Sequence, residues 1–226
     1  MAVKNKYIDI KVTFMHKLKR GILVTLEGID GAGKSTLATL LSNYLAQDNI
    51  DHLLTKEPGG SLLGQQLRTM LHNNTVSMCP KAEFLLFAAD RAQHMHDIVL
   101  PALAKHTLVL SDRMADSSLA YQGYGRGVDK HMIKTVNTWI MENHEPDIVF
   151  YIQIPVKIAL DRITKRGNVN HFEQHSSFLE KVDQGFKALF AEKKNVVFID
   201  GSQNPKDVAS TLYNHVKDLL CKQQLQ

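Results

Sequence analysis

Short, largely apolar runs are the clearest pattern along this chain, and each predicts a β-strand. Such runs, bounded by polar or turn-forming residues, are typical of strands that are covered on both faces. The five runs lie at residues 22–26, 52–56, 107–110, 148–154 and 196–200. Between them, apolar residues recur at three- and four-residue intervals, which predicts amphipathic helices.

The helical intervals alternate with the strand-like runs along the chain. One helix begins at Lys34, and the others are predicted at residues 62–71, 81–105, 129–143, 155–165, 178–193 and 205–221. This order predicts an α/β fold in three layers, with a five-stranded parallel sheet and helices on both faces. No internal repeat interrupts it, so residues 19–226 are expected to form one domain. A polar segment at about 166–177 has the composition of a mobile lid, and equally of an ordinary loop.

Composition and charge exclude several classes of protein. The chain of 226 residues is 44% hydrophobic, and it lacks an apolar run near the ~18 residues that a membrane span requires. Its net charge is +4, but residues 1–20 alone carry +5, so the remaining 206 residues carry −1. We therefore expect neither nucleic acid nor a membrane as a partner, and we interpret residues 1–18 as a basic, disordered extension. The two cysteines lack metal-ligand spacing and predict free thiols in the cytoplasm.

The segment between the first strand and the first helix carries the strongest chemical signal. Residues 28–35, GIDGAGKS, match the pattern G-x-x-x-x-G-K-[ST] of a phosphate-binding loop. Glycines allow the backbone to approach an anion closely, and the N–H groups of the loop and of the helix start point toward it. This predicts the P-loop NTPase fold and a nucleotide site. The predicted site residues are Gly28, Ile29, Asp30, Gly31, Ala32, Gly33, Lys34, Ser35 and Thr36.

Within the loop, Lys34 can reach the β and γ phosphates, and the Ser35 hydroxyl is placed to bind Mg²⁺. The Asn-Lys-x-Asp motif of guanine recognition is absent from the sequence, which argues against a GTPase. Arginines instead follow the loop along the chain, as a kinase with a phosphorylated acceptor requires. They are Arg68, Arg91, Arg113, Arg162 and Arg166.

Five segments, in this order and including the phosphate-binding loop, resemble the bacterial type of thymidylate kinase. They are EGIDGAGKST, KEPGG, LLFAADRAQH, SDRMADSSLAYQGYGRG and PDIVFYI, and the resemblance extends over nearly the whole chain from about Lys19. The resemblance implies ATP-dependent phosphorylation of dTMP to dTDP in dTTP synthesis, with Mg²⁺ as cofactor and a homodimer as the assembly. ATP and dTMP would be the ligands.

The resemblance also assigns roles to individual residues. Arg68 and Arg113 would grip the acceptor phosphate, Phe87 would stack on thymine, and Arg91 would bind its exocyclic oxygen. Asp30 would lie near the acceptor sugar and the metal, and Asp112 would bind Mg²⁺ through water. The remaining predicted acceptor-site residues are Glu57, Pro58, Ser118, Tyr121 and Gln122.

Several residues have a plainer interpretation that the sequence leaves open. Phe87 alone equally fits the core, Asp30 could bond its own backbone, and Asp112 could simply pair with Arg113. Because Ser35 follows Lys34, the loop has no arginine, and Arg166, with Arg162 second, is predicted to stabilise the transferring phosphoryl group. Two alternative functions stay open: a kinase of another nucleotide or nucleoside acceptor, and a non-catalytic nucleotide-binding protein.

Overall fold

A computed structural model describes residues 18–72, 77–165 and 176–224. In these ranges five parallel strands form one sheet in the order β2-β3-β1-β4-β5, which confirms the predicted α/β class. The strands are β1 Ile22–Glu27, β2 His52–Lys56, β3 Leu108–Asp112, β4 Ile148–Gln153 and β5 Val196–Asp200. The bounds predicted for β2 and β5 are confirmed.

Helices cover both faces of the sheet in the described part of the chain. They are α1 Lys34–Gln47, α2 Leu62–His72, α3 Pro80–His94, α4 Leu100–Ala104, α5 Ala115–Ser118, α6 Lys130–Met141, α7 Val156–Lys165, α8 Ser176–Phe190 and α9 Pro205–Gln224. Two π-helical segments, Met95–Val99 and Leu119–Gly125, continue α3 and α5. None of the helices within the described ranges is both long enough and apolar enough to cross a membrane.

The core forms where the central strands meet the helices. Residues of β1 and β4 pack against α1, α8 and α9 in one large apolar cluster. Phe150, Tyr151, Phe186 and Phe190 are among its largest buried side chains. The ring of Tyr151 lies 5.1 Å from that of Phe190, centroid to centroid. Burial on both faces explains why these strands are apolar at almost every position.

The predicted helix 81–105 was wrong as a single helix. It is divided into α3, the π-helical segment Met95–Val99 and α4. Pro101 lies in the first turn of α4, and its ring nitrogen cannot donate the hydrogen bond that a continuous α-helix requires. Apolar spacing predicts which face of a helix is buried, but it does not predict a local change from α-helix to π-helix.

The segment 115–125 received no predicted element, yet it is helical as α5 and the following π-helical segment. Glycine and serine give it weak intrinsic helix propensity. Its stability comes from α8, which packs closely against it. A Cβ on Gly185 of α8 would lie 2.7 Å from Cβ of Tyr124, so only glycine permits this approach.

Strand β3 extends beyond the predicted end at residue 110, because Ser111 and Asp112 pair with β1 and β2. Asp112 therefore lies at the carboxyl edge of the sheet, beside the loop that follows β1. Most of the predicted extension and of the predicted lid lies outside the described residues, namely residues 1–17 and 166–175. Leu18, assigned to the extension, is buried against the core.

Candidate active site

The loop between β1 and α1 has the conformation that its glycines predict. Gly28, Gly31 and Gly33 have φ values of 144°, 80° and 95°, where other residues are strained. A Cβ on Gly31 would lie 2.5 Å from the carbonyl oxygen of Ala159 in α7. The loop therefore packs against α7 on one side, and its other side faces the site.

Lys34 lies at the start of α1 and bends back over this loop. Its Nζ donates to the carbonyl oxygens of Gly28 and Ile29, at 3.0 and 2.9 Å. Burial and the neighbouring Arg113 lower the pKa of Lys34 to about 8, against the opposing effect of nearby carboxylates. A polyphosphate at the loop would supply the negative charge that favours the protonated amine.

Ser35 and Asp112 form the oxygen-rich corner of the site. The Ser35 hydroxyl donates to Oδ2 of Asp112 at 2.5 Å. Thus Asp112 contacts Ser35 rather than pairing with Arg113. Mg²⁺ prefers oxygen ligands and commonly takes only one or two from the protein, with phosphate and water completing the octahedron. This hydroxyl and carboxylate fit that requirement, although the described residues hold no cluster of three or more His, Cys, Asp or Glu for a metal.

Asp30, Arg113 and Tyr121 form a partly buried hydrogen-bonded group beside the loop. Arg113 makes an ion pair with Asp30, and the Tyr121 hydroxyl donates to Oδ2 of Asp30 at 2.8 Å. Burial opposes ionisation of Asp30, but Arg113 and Lys34 outweigh it and hold the pKa of the carboxyl below its ordinary value. Arg113 itself has φ = 74° and also donates to the Gly28 carbonyl at 3.0 Å. The group joins the loop after β3 to the loop after β1.

Arg91 and Glu57 form a second buried charge pair. Nε of Arg91 lies 2.9 Å from Oε2 of Glu57, and the two side chains are 2% and 3% exposed. Arg91 also donates to the Asn137 side chain, the Met114 carbonyl and the Ser118 hydroxyl. A guanidinium has five N–H groups. Four described acceptors therefore fix its orientation and leave one N–H for a ligand.

Phe87 and Arg68 face a cavity of about 500 Å³ that also contains Lys34, Asp112 and Arg113 on its walls. Phe87 is half-buried and does not belong to the described core clusters. Arg68 donates to the carbonyl of Pro58 at 2.8 Å. The following predicted residues all line this cavity: Asp30, Glu57, Pro58, Arg91, Ser118, Tyr121 and Gln122.

Of the two arginines predicted for the transferring phosphoryl group, the structure describes one. Arg166 lies outside the described residues. Arg162 contacts the outer side of the loop, where it donates to the Gly31 carbonyl at 3.3 Å and to the Gly201 carbonyl at 3.2 Å. It is not among the residues that line the cavity. Ile29 and Ala32 are buried in the core cluster, and Thr36 is exposed.

Comparison with known proteins agrees with this geometry. The family model described as Thymidylate kinase matches residues 26–212. This chain belongs to the thymidylate kinase family. It is 39% identical over 207 residues to a thymidylate kinase of Halothermothrix orenii, covering 90% of this chain and all of that protein. It is 43% identical over 197 residues to the thymidylate kinase of Desulfovibrio desulfuricans, covering 83% and 91% of the two chains.

Within this family fold, the site is supported by three buried side chains, and sequence reasoning did not single out any of the three. His94 lies between Glu57 and Thr55, with Nδ1 3.0 Å from Oε1 of Glu57 and Nε2 2.7 Å from the Thr55 hydroxyl. Asp90 accepts from the Gly59 N–H at 2.9 Å, and burial and the nearby Glu57 raise its pKa to about 6. Residues 90, 91 and 94 share a helix face, so their spacing was the available signal.

Glu27 is the third of these residues, at the end of β1. It accepts from the Met114 N–H at 2.8 Å and from the Ser117 hydroxyl at 2.5 Å. Ser117 in turn accepts from Arg113, so Glu27 supports Arg113 on the cavity wall. A charged residue within an apolar strand was the signal for it. Met114, which follows Arg113, packs in a small apolar cluster with Met95 and Val109.

The buried carboxyl of Glu27 predicts a pH-dependent stability. Burial and Asp116 raise its pKa from 4.5 to about 7. The folded protein therefore keeps a proton that the unfolded chain releases, so the stabilisation is complete below pH 4.5 and is lost as the pH rises through 7. Relative to Glu27→Gln, the unfolding free energy of the wild type should fall by about 3 kcal/mol between pH 4.5 and 7, as measured by denaturant titration.

The matched control is Glu180→Gln, which changes an exposed carboxylate that accepts a hydrogen bond from Ser176. Its pH curve should run parallel to that of the wild type. Parallel curves for Glu27→Gln as well would show that Glu27 does not titrate in this range.

Proposed function

We propose that this member of the thymidylate kinase family transfers the γ-phosphoryl group of ATP to dTMP and forms dTDP. The observation that carries the proposal is one continuous cavity with Lys34 of the phosphate-binding loop on its wall together with Arg68, Arg91, Arg113 and Phe87. The loop suits a nucleoside triphosphate. The arginines suit a phosphorylated acceptor, and the half-buried ring suits a planar base.

In the proposed mechanism, positioning and charge neutralisation provide most of the catalysis. Arg113 and Arg68 bind the phosphate of dTMP, and Lys34 and the loop N–H groups bind the phosphates of ATP. The acceptor phosphate oxygen is already anionic, so it attacks without a strong general base. Asp30 and Tyr121 hold Arg113 by direct contacts, which keeps the acceptor phosphate in line with the donor.

The proposed cofactor is Mg²⁺, held by Ser35 and by Asp112, directly or through water. When bound, the ion would neutralise charge on the donor phosphates. Support comes from the 2.5 Å contact between these side chains, which puts a hydroxyl and a carboxylate at one point beside Lys34. Both are ligands of the type that Mg²⁺ prefers.

We retain Arg166 and Arg162 as the proposed arginines for the transferring group. Arg162 binds loop carbonyls, so it would act by fixing the loop or by turning from these carbonyls to phosphate. A carbonyl is a weaker partner for a guanidinium than a phosphate anion. The proposed location is the cytoplasm, which is compatible with the exposed free thiols of Cys79 and Cys221.

We also propose a homodimer that forms through the layer of α2, α3 and α6. Of the eight large hydrophobic residues that are exposed in the described part of the chain, six lie on these three neighbouring helices. They are Leu62, Leu63, Met70, Leu85, Met132 and Trp139. Trp139 is 79% exposed. A concentration of large apolar side chains on one face is typical of a protein interface.

The function is tested by a coupled ADP-release assay with dTMP, dUMP and thymidine as acceptors. The wild type should prefer dTMP and lose activity when EDTA removes Mg²⁺. Lys34→Ala should lower kcat by about 100-fold or more, because it removes a charge that stabilises the transition state. Lys157→Ala, at an exposed position on α7, is the control. ADP release with thymidine but not with dTMP would instead establish a nucleoside kinase, and no turnover with any acceptor would indicate a binding protein.

The role of Phe87 is tested by steady-state kinetics of Phe87→Ala. Loss of base stacking should raise KM for dTMP about tenfold or more, while KM for ATP stays within about twofold. Phe198→Ala is the control, since Phe198 is a 50% exposed ring on β5 that neither lines the cavity nor lies in the proposed interface. An unchanged KM for dTMP in Phe87→Ala would remove the ring from the acceptor site.

The dimer is tested by sedimentation equilibrium of the double variant Leu85→Glu/Trp139→Glu. The wild type should have twice the 25.5 kDa mass of one chain, and the variant should be monomeric, because charges would be buried unpaired in the interface. Phe198→Glu, at an exposed residue of β5, is the control and should stay dimeric. A dimeric double variant would place the interface elsewhere.

A further inference from the structure

Glu83 and Gln122 form a buried pair on the wall of the cavity, close to Phe87 in the chain. The Gln122 amide nitrogen, Nε2, donates to Oε1 of Glu83 at 2.8 Å. The two residues are 4% and 3% exposed, and both line the cavity. The mechanism proposed above does not use Glu83.

The chemistry of this contact fixes which end of the amide faces Glu83. An ionised carboxylate can only accept hydrogen bonds, so Gln122 must turn its NH₂ group toward Glu83. Burial raises the pKa of Glu83, but the hydrogen bond from Gln122 and the charge of Arg126 favour the ionised form. Nε of Arg126 lies 3.6 Å from the other carboxylate oxygen, Oε2.

The opposite end of the Gln122 amide is the carbonyl oxygen Oε1, which can only accept a hydrogen bond. No described group donates to Oε1 of Gln122, and this atom is not among the fully enclosed polar atoms that lack a partner. Since Gln122 lines the cavity, its carbonyl oxygen is the end available to a ligand. Arg91, held by four acceptors, contributes a donor to the same cavity.

A donor and an acceptor at fixed positions distinguish pyrimidine bases. Thymine and uracil present an N3–H donor beside the O4 acceptor, whereas cytosine presents an N3 acceptor beside an N4 amino donor. An acceptor of fixed orientation fits the first pattern. It repels the second, because two acceptors would face each other without a proton.

We propose that Glu83 is a positioning residue for specificity: it orients the Gln122 amide so that the acceptor site selects pyrimidine bases with an N3–H group over cytosine. This inference rests on the proposed function and extends it to the basis of base selection. Glu83 acts through Gln122 and does not itself contact the base.

The test compares Glu83→Gln with the wild type by calorimetric binding of dTMP, dUMP and dCMP and by kcat/KM for each. Glutamine is isosteric but can donate as well as accept, so the Gln122 amide can turn over. The preference for dTMP over dCMP should fall by about tenfold or more. The preference for dTMP over dUMP, which share N3–H, should stay unchanged, as should KM for ATP.

Two further variants separate positioning from a structural effect. Asp97→Asn removes an exposed carboxylate that accepts from the Gln93 amide at 2.8 Å on the same helical run, and it should leave both preferences unchanged. In Gln122→Met, the amide is gone, so adding Glu83→Gln should have no further effect on the dTMP to dCMP ratio.

Three results would overturn the proposal. They are an unchanged dTMP to dCMP ratio in folded Glu83→Gln, an equal loss of the ratio in the Gln122→Met background, and a parallel change in the dTMP to dUMP ratio. A wrong proposed function would give a result different from these three. The wild type would then not turn over dTMP, while calorimetry with the three nucleotides would still measure the effect of Glu83 on base selection.

Discussion

The parallel pairing of β1 with β3 is the constraint on which the site depends. Leu26 pairs with Asp112 in this ladder, and the Arg113 N–H donates to the Leu26 carbonyl at 3.0 Å. Both strands therefore end at one edge of the sheet, as the ligand sites of doubly wound sheets require. The loop after β1 supplies main-chain donors, and the residues after β3 supply a carboxylate and a guanidinium. Without this register the two halves of the cavity would not meet.

Charges at this edge lie in compensating groups that are buried or partly buried. Lys34 binds loop carbonyls, Arg113 binds Asp30, and Arg91 binds Glu57. A buried charge without a partner is strongly destabilising, and each of these three cations has a partner within the protein itself. A phosphate that enters the cavity offers a better acceptor than a carbonyl. The network therefore keeps the cations oriented and available at a limited cost in free energy.

The half of the cavity that contains Phe87 and Arg91 is organised largely by helix α3. Phe87 and Arg91 lie on the cavity wall, and Asp90 and His94 hold the turn that follows β2 through Gly59 and Glu57. Oδ2 of Asp90 is fully enclosed and has no described hydrogen-bond partner, which is consistent with a raised pKa. One helix thus combines groups that line the cavity with groups that fix the loops around it.

The sequence determined the α/β class, the bounds of β2 and β5 and the glycine-rich loop after β1, because these depend on periodicity and local motifs. Which residues bind the acceptor stays a prediction. The sequence could not show that Phe87 lies at the cavity and outside the core, since apolar spacing is the same for both. The π-helical segments, the helix at 115–118 and the support by Glu27, Asp90 and His94 depend on packing between distant segments. Tertiary structure also decided two contacts, that of Ser35 with Asp112 and that of the Gln122 amide with Glu83. The partners in each contact are far apart in sequence, so they come within hydrogen-bond distance only when the sheet and helices are assembled.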